Sequence, residues 1–195
     1  LGADDGMGVA LAMELLTDQT LQCGPLRAVF TVCEETGLGG AEDIARELYP
    51  AIRWCAEYCE RQKLPEGVIR SDSDELEGRF PTDRRANLST SCLCYGGLVF
   101  AAKLARSLGD EETAALYESR GNALKAAIDD YFGATLHGFD TYRYSQGFDT
   151  LRAWICLPLC MGIDTRKDGT LNAMLSSYLW TEEGMLTCEI SAENT

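Results

Sequence analysis

Apolar residues recur at helical spacing through most of the chain and alternate strand-like almost nowhere. In residues 6–17, Val9, Met13 and Leu16 fall on one side of a helix, and TDQTLQCGP behind them breaks it. The run LRAVFTVC (26–33) is short, β-branched and aromatic, which predicts a strand running into the Gly-rich loop EETGLGG. From ELYPAIRWCAEYCERQK onward the period is helical, with Pro50 placed in the first turn, where its missing N–H is harmless. A polar loop, LPEGVIRSDSDELEGRFPTDRRANL, comes next. Ser89 or Thr90 then caps a helix through about Leu108, and Gly109 ends it. Asp110 caps the following helix, whose apolar stripe is Tyr117, Leu124, Ile128 and Tyr131. So short a turn between the two predicts an antiparallel αα-hairpin. The loop GATLHGFDTYRYSQGFDT leads to a helix in LRAWICLPLCMG, and one more helix covers roughly 169–178. No strand is expected after about residue 45. The expected fold is mainly α, preceded by a short α/β fragment of helix, strand and loop, with the change of texture dividing residues 1–46 from 47–195.

The formal charge of −14 argues against a nucleic-acid binder, which needs clustered Lys and Arg to neutralise phosphates. No unbroken apolar run approaches the roughly 20 residues that cross a bilayer, so no membrane partner is expected. Nine cysteines, an odd number, sit inside apolar helical patterns such as RWCAEYC, STSCLCYGG and WICLPLCMG. That placement predicts reduced thiols packed as small hydrophobes in a cytoplasmic chain. Cys55/Cys59 and Cys156/Cys160 are i, i+4 pairs, but the tighter spacing of a zinc knuckle is missing, so core packing is the expectation for them.

Two stretches carry chemistry. The first, LGADDGMG with FTVCEETGLGG, resembles the dinuclear zinc aminoacyl-histidine dipeptidases over about 45 residues. The resemblance implies that Asp4 bridges two zinc ions, that Glu34 is the general base and that Glu35 is a zinc ligand. Two metals sharing a water lower its pKa, and an adjacent carboxylate removes its proton. The family draws further histidines and aspartates from other segments, whereas this chain has one histidine, His137, in sequence that does not resemble the peptidase. Two carboxylate motifs alone do not fill two zinc coordination spheres. Asp4, Asp5, Glu34 and Glu35 are therefore expected to be acidic loop residues rather than a working dizinc centre.

From about Leu48 to Thr187 the chain resembles the six-hairpin glycosidases, whose catalytic domain is a toroid of six αα-hairpins. SDSDELEGRFPTDRRANLST, GFDTYRYSQGFDTLRAWICLPLCMGI and SYLWTEEGMLT carry this resemblance. Some members have a loop of the form Trp-Asp-x-Ser-x-Arg-aromatic. Aligning Arg79-Phe80 on that pattern puts Glu75 at the position of the general acid. Here Glu75 stands for Asp, Asp74 for Trp, and Glu77 at a usually small position; Asp72, Asp74 and Glu77 remain open as alternatives. Read from the residues alone, four carboxylates within six residues repel one another and raise at least one pKa, which suits a proton donor. Arg79 suits holding a carboxylate ionised or binding a sugar hydroxyl. Tyr142, Tyr144 and Trp154 are candidates for stacking on sugar, and Asp140 or Asp149 for hydroxyl contacts. His137, flanked by a glycine, reads as an exposed turn residue.

A full toroid needs twelve helices, and five or six are legible, so the helical region is expected to be truncated. The composite expectation is a glycoside hydrolase-type protein, acting on carbohydrate by acid/base hydrolysis without a cofactor. Its second carboxylate is unassigned, and its uncovered hairpin faces favour self-association. The alternatives are a zinc-dependent dipeptidase fragment and a non-catalytic, chimeric or truncated helical fragment.

Overall fold

Why the later two-thirds of the chain folds as helices follows from where its bulky apolar residues fall. In the computed structural model, which describes residues 3–22, 24–26, 28, 42–72 and 85–189, the chain divides into two units, Leu1–Leu48 and Tyr49–Thr195. The first contains helix α1, Ala3–Thr17. Val9, Leu11, Met13 and Leu15 lie half exposed along it. It ends in a turn where Asp18 Oδ1 accepts from the Thr20 amide at 2.8 Å. Most of the strand expected over 26–33 lies outside the described residues, as do Glu34 and Glu35.

Helix α2 spans Glu42–Arg61 and contains Pro50. This corrects the expected start: Pro50 sits well inside the helix, a position that forfeits one backbone hydrogen bond. Ile52 and Ala56 of this helix pack on the core of the second unit. Trp54 and Tyr58 stack on each other with centroids 5.7 Å apart and stay largely exposed.

The centre of the second unit is the pair α3, Leu88–Ser107, and α4, Glu111–Phe132. Of the four stripe residues of α4, Tyr131 is partly buried against the core, while Tyr117, Leu124 and Ile128 are buried as the spacing predicts, together with Phe132. Each such side chain contributes about 1.5–3 kcal/mol by leaving water. They pack on α3, where Ala101, Ala102 and Ala105 are buried and allow close approach. By length and composition alone α3 is apolar enough to cross a membrane, a test that a buried core helix also meets. Its Ala and Cys residues raise the mean hydropathy without forming an unbroken apolar run. More than half of it is buried against its own unit.

The capping residues decide where these helices begin. Asn87, not Ser89 or Thr90, is the N-cap of α3: its Oδ1 accepts from the Thr90 amide at 2.8 Å. Asp110 caps α4 as expected, accepting from the Thr113 amide at 3.1 Å and from the Tyr49 hydroxyl at 2.9 Å. Bonds from Thr113, then from Tyr49, hold the Asp110 carboxyl below its ordinary value of 3.8. A group depressed in this way stabilises the fold above its unfolded pKa and loses that contribution as pH falls through the folded value. Asp110→Asn keeps the cap acceptor and removes the charge. Its urea midpoint is therefore expected to fall less than that of the unsubstituted chain between about pH 4 and pH 2; parallel curves would refute the linkage.

Two hairpins overturn the expectation of no strand after residue 45. Strands β1, Gly133–Leu136, and β2, Phe139–Tyr142, pair antiparallel with Leu136 opposite Phe139. The turn residues His137 and Gly138 have φ of +48° and +85°, the left-handed pair that two-residue hairpins require. A 3-10 turn over Ala153–Cys156 runs into a short helix α5, Leu157–Cys160, in place of one longer helix. Helix α6 covers Lys167–Met174. A last ribbon pairs β3, Trp180–Thr181, with β4, Gly184–Met185. Arg166 ties these pieces together: its Nε lies 3.0 Å from Asp129 Oδ1 near the end of α4, and its Nη1 pairs with Asp140 of β2.

Candidate functional site

The carboxylate-rich loop is held at both stems. Arg70 and Ala86 form an antiparallel bridge, and the Ser71 amide donates to the Arg85 carbonyl at 2.9 Å. The chain thus leaves at Asp72 and returns at Arg85 side by side. Asp74, Glu75, Glu77 and Arg79, the residues the glycosidase resemblance singles out, lie between these stems and outside the described residues. Asp72 is described: it is exposed, with Oδ1 3.7 Å from Arg70 Nε.

Beneath the stems runs a buried chain of polar groups. Asn87 Nδ2 donates to Ser71 Oγ at 2.8 Å, and Ser89 Oγ donates to Asn87 Oδ1 at 2.8 Å. The Tyr144 hydroxyl lies 3.0 Å from Ser89 Oγ. With the Ser89 proton committed to Asn87, Tyr144 is the donor in that bond. The Arg152 guanidinium sits over the Tyr144 ring, 5.0 Å from its centroid, and 5.9 Å from that of Phe148. Arg152 is only 3% exposed and has further interactions besides these. The faces of two rings offset part of the desolvation penalty of a cation this deep. The network fixes the floor from which the loop springs, because each member is locked by the next.

Asn87 joins both halves of this arrangement, since it caps α3 and bridges Ser71 to Ser89. Asn87→Ala is expected to lower stability by about 2–3 kcal/mol, read from the urea unfolding midpoint. Asn87→Asp, which keeps the cap acceptor, should lose less; equal losses would mean that the cap contributes little.

The other sequence candidates fall elsewhere. Tyr142 and Tyr144 are fully buried, which corrects their assignment to sugar contact, because neither ring offers a face to solvent. The Tyr142 hydroxyl donates to Asp129 Oδ1 at 3.4 Å, and burial pushes its pKa above the ordinary range. Trp154 is half-buried, and its indole N–H has no hydrogen-bond acceptor among the described residues. Asp140 lines an open depression of about 380 Å³ with Asp164, Lys167 and Asp168, pinned there by Arg166. Asp149 pairs with Arg143 at 3.2 Å. His137 is a turn residue, as read from its glycine neighbour. Its Nε2 lies 2.8 Å from Glu189 Oε2, and its ring stacks on Tyr178 with centroids 4.0 Å apart.

Sequence does not single out Arg152 or Ser71, and it points to Ser89 only as a candidate helix cap. Arg152 carries a usable signal, a lone charge inside the apolar run LRAWICLPLC. The two serines carry none for the polar network, because their role in it depends on contacts across 16 or more residues of chain.

A metal needs several ligands at one place. Among the described residues no three His, Cys, Asp or Glu side chains converge in that way. The chain's one imidazole, His137, is already engaged by Glu189. Of the candidates for a dizinc centre, Asp4 lies in the first turn of α1 rather than in a loop, and Glu34 and Glu35 lie outside the described residues.

The fold has clear counterparts. The chain is similar to the solved structure of alpha-L-rhamnosidase from Dictyoglumus thermophilum, with a TM-score of 0.59 at 18% identity over 77% of this chain. It is similar to a solved sialidase, with a TM-score of 0.64 at 16% identity over 77% of this chain. It covers 17% and 15% of those two chains respectively. In sequence it is 28% identical over 137 residues, 70% of its length, to the cytosol non-specific dipeptidase of Escherichia coli (strain K12), of which it spans 23%. No family model matches the chain. Both resemblances read from the sequence are thus met, and each covers a minor part of the matched protein. The two shares together exceed the chain, so some residues belong to both matches.

Proposed function

We propose that the chain is the glycosidase-like portion of a glycoside hydrolase of the six-hairpin class, and that its αα-hairpin and flanking elements form part of an (α/α) toroid. The supporting observation is the likeness of its fold to two solved glycosidases, together with a loop of four clustered carboxylates whose stems are clamped over a buried polar floor. In this reading Glu75 protonates the departing glycosidic oxygen, while Arg79 holds a neighbouring carboxylate or a sugar hydroxyl. Asp74 and Glu77 contact substrate, and Trp154 has the one partly exposed ring of the three named for sugar contact. The partner is a carbohydrate, with neither nucleic acid nor membrane involved, and no cofactor takes part. The test is release of reducing sugar from rhamnosides and sialosides by the purified chain. Release that depends on Glu75 supports the reading, and no release from any glycoside sinks it.

A second reading rests on the 28% identity to the dipeptidase. It assigns zinc to Asp4 and Glu35 and the general base to Glu34. Metal analysis after zinc loading, with dipeptide hydrolysis assayed in parallel, tests it; zinc well below one equivalent removes it.

Self-association follows from the same picture of a partial toroid. Trp54 is 63% exposed and Phe100 67%, and exposed rings of this size favour association in water. Sedimentation velocity is expected to show average mass rising with protein concentration, and a constant monomer mass would refute this.

A further inference from the structure

Two thiols from different helices face each other beside the core. Cys59 lies in the last turn of α2 and Cys94 in the second turn of α3, with the sulfurs 3.2 Å apart. Both side chains are partly exposed, so a small oxidant can reach them. We infer that Cys59 and Cys94 form a reversible disulfide, a redox-controlled clamp between α2 and α3. Closing the gap to the roughly 2.05 Å of an S–S bond takes about an ångström of sulfur movement, within reach of small side-chain rotations.

The environment selects this pair over the other described cysteines. The hydrogen bond from the Cys94 thiol pulls the Cys59 thiol down to about 7, so a good share is thiolate near neutral pH. Burial pushes Cys92 well above the ordinary thiol range and raises Cys156 to about 11. Cys55, one turn before Cys59, is exposed and has no sulfur partner in the described residues.

The chemistry balances with a peroxide as oxidant. The Cys59 thiolate attacks one oxygen of hydrogen peroxide and breaks the O–O bond. Hydroxide leaves and takes up a proton, giving a sulfenic acid. Cys94 sulfur then displaces the sulfenic oxygen as water, and the S–S bond forms. Two thiols and one peroxide give one disulfide and two waters. A glutathione disulfide accomplishes the same oxidation by exchange, leaving two glutathione thiols.

The bond would act on more than two helices. α2 is held to α4 by polar contacts, Glu57 Oε1 to Arg120 Nη1 at 2.6 Å and Tyr49 to Asp110, with Ile52 and Ala56 as its apolar anchors. The ring closed between residues 59 and 94 encloses the whole segment 60–93, and with it the carboxylate loop. A cross-link there reduces the freedom of that loop in the unfolded chain and fixes the α2 end of its stem in the folded one.

The test treats the full chain with hydrogen peroxide, blocks remaining thiols under denaturing conditions and digests with trypsin. The expected product joins peptides 54–61 and 86–103 by a bond that dithiothreitol reverses, with fragmentation placing it at Cys59 and Cys94. Cys59→Ser and Cys94→Ser should each abolish it, while Cys55→Ser and Cys92→Ser keep it. Oxidised protein should melt roughly 5–15 °C above reduced protein, and this gain should be missing in Cys59→Ser. A linkage through Cys55 or Cys92, no linkage between these peptides, or a bond that leaves the melting temperature unchanged would overturn the proposal.

Discussion

Glu75→Gln is expected to lower the rate of glycoside hydrolysis by about 10²–10⁴-fold if this carboxyl donates the proton to the leaving group. The size of the loss should depend on what leaves. A sugar alkoxide is a strong base and needs the proton in the transition state, so natural disaccharides should show the full effect. A nitrophenolate departs with little assistance, so nitrophenyl glycosides should lose much less. That contrast separates an acid catalyst from a residue that only shapes the loop, which would depress both substrates alike. The variant should also flatten the alkaline side of the pH–rate profile, where an acid catalyst fails as it ionises. Asp74→Asn and Glu77→Gln are the controls, since the loop aligns on Arg79-Phe80 and Asn87-Leu88 and its neighbouring carboxylates stay open as alternatives. If Glu77→Gln shows the leaving-group dependence and Glu75→Gln does not, the acid is Glu77. If none of the three does, and Asp72→Asn does not either, the loop is not the proton donor.

How much of this was legible beforehand follows the range of the interactions involved. The stripe of Tyr117, Leu124 and Ile128 and the cap at Asp110 rest on spacing within one or two turns, and the structure holds them where spacing puts them. The start of α3 lies two or three residues before the cap expected at Ser89 or Thr90, because several capping residue types stand in a row. What separates Asn87 from Ser89 is the hydrogen bond between them, which sequence does not display. The β1–β2 hairpin was missed because four-residue strands give almost no alternation to read, although His137-Gly138 is a usable turn signal. The aromatic, Gly-flanked loop that holds Tyr142 and Tyr144 suggests them as sugar platforms. Pairing of β1 with β2, and the Leu88 amide donating to the Tyr144 carbonyl at 2.8 Å, turn them into the core. The acidic loop was legible as composition, whereas its floor was not. Ser89 meets Tyr144 across 55 residues of chain, and no local pattern encodes such a meeting.

Gly169→Ala should destabilise the fold, against what helix propensity alone predicts. Gly169 is the third residue of α6 and carries no positive φ that would demand glycine. Alanine in a helix interior is favoured over glycine by about 0.8–1 kcal/mol. The opposing term is steric. A Cβ at this position would fall inside the contact distance of the Asp140 backbone carbonyl in β2, and backbone cannot swing aside as a side-chain tip does. Next to it, the buried hydroxyls of Thr170 and Thr141 lie 2.9 Å apart and fix how closely α6 sits on the strand. Overpacking of this kind costs about 1–3 kcal/mol or more, and here α6 must lift and stretch that bond as well. The balance predicts a net loss of about 1–2 kcal/mol, a fall in melting temperature of roughly 2–8 °C for a chain of this size. Gly97 supplies the contrast, since it is exposed within α3 and a Cβ there meets no atom within 4 Å. Gly97→Ala should raise stability by about 0.5–1 kcal/mol. Opposite signs for the two alanines in thermal unfolding would establish the close approach of α6 to β2. A gain at both positions would mean that this packing is looser than the structure draws it.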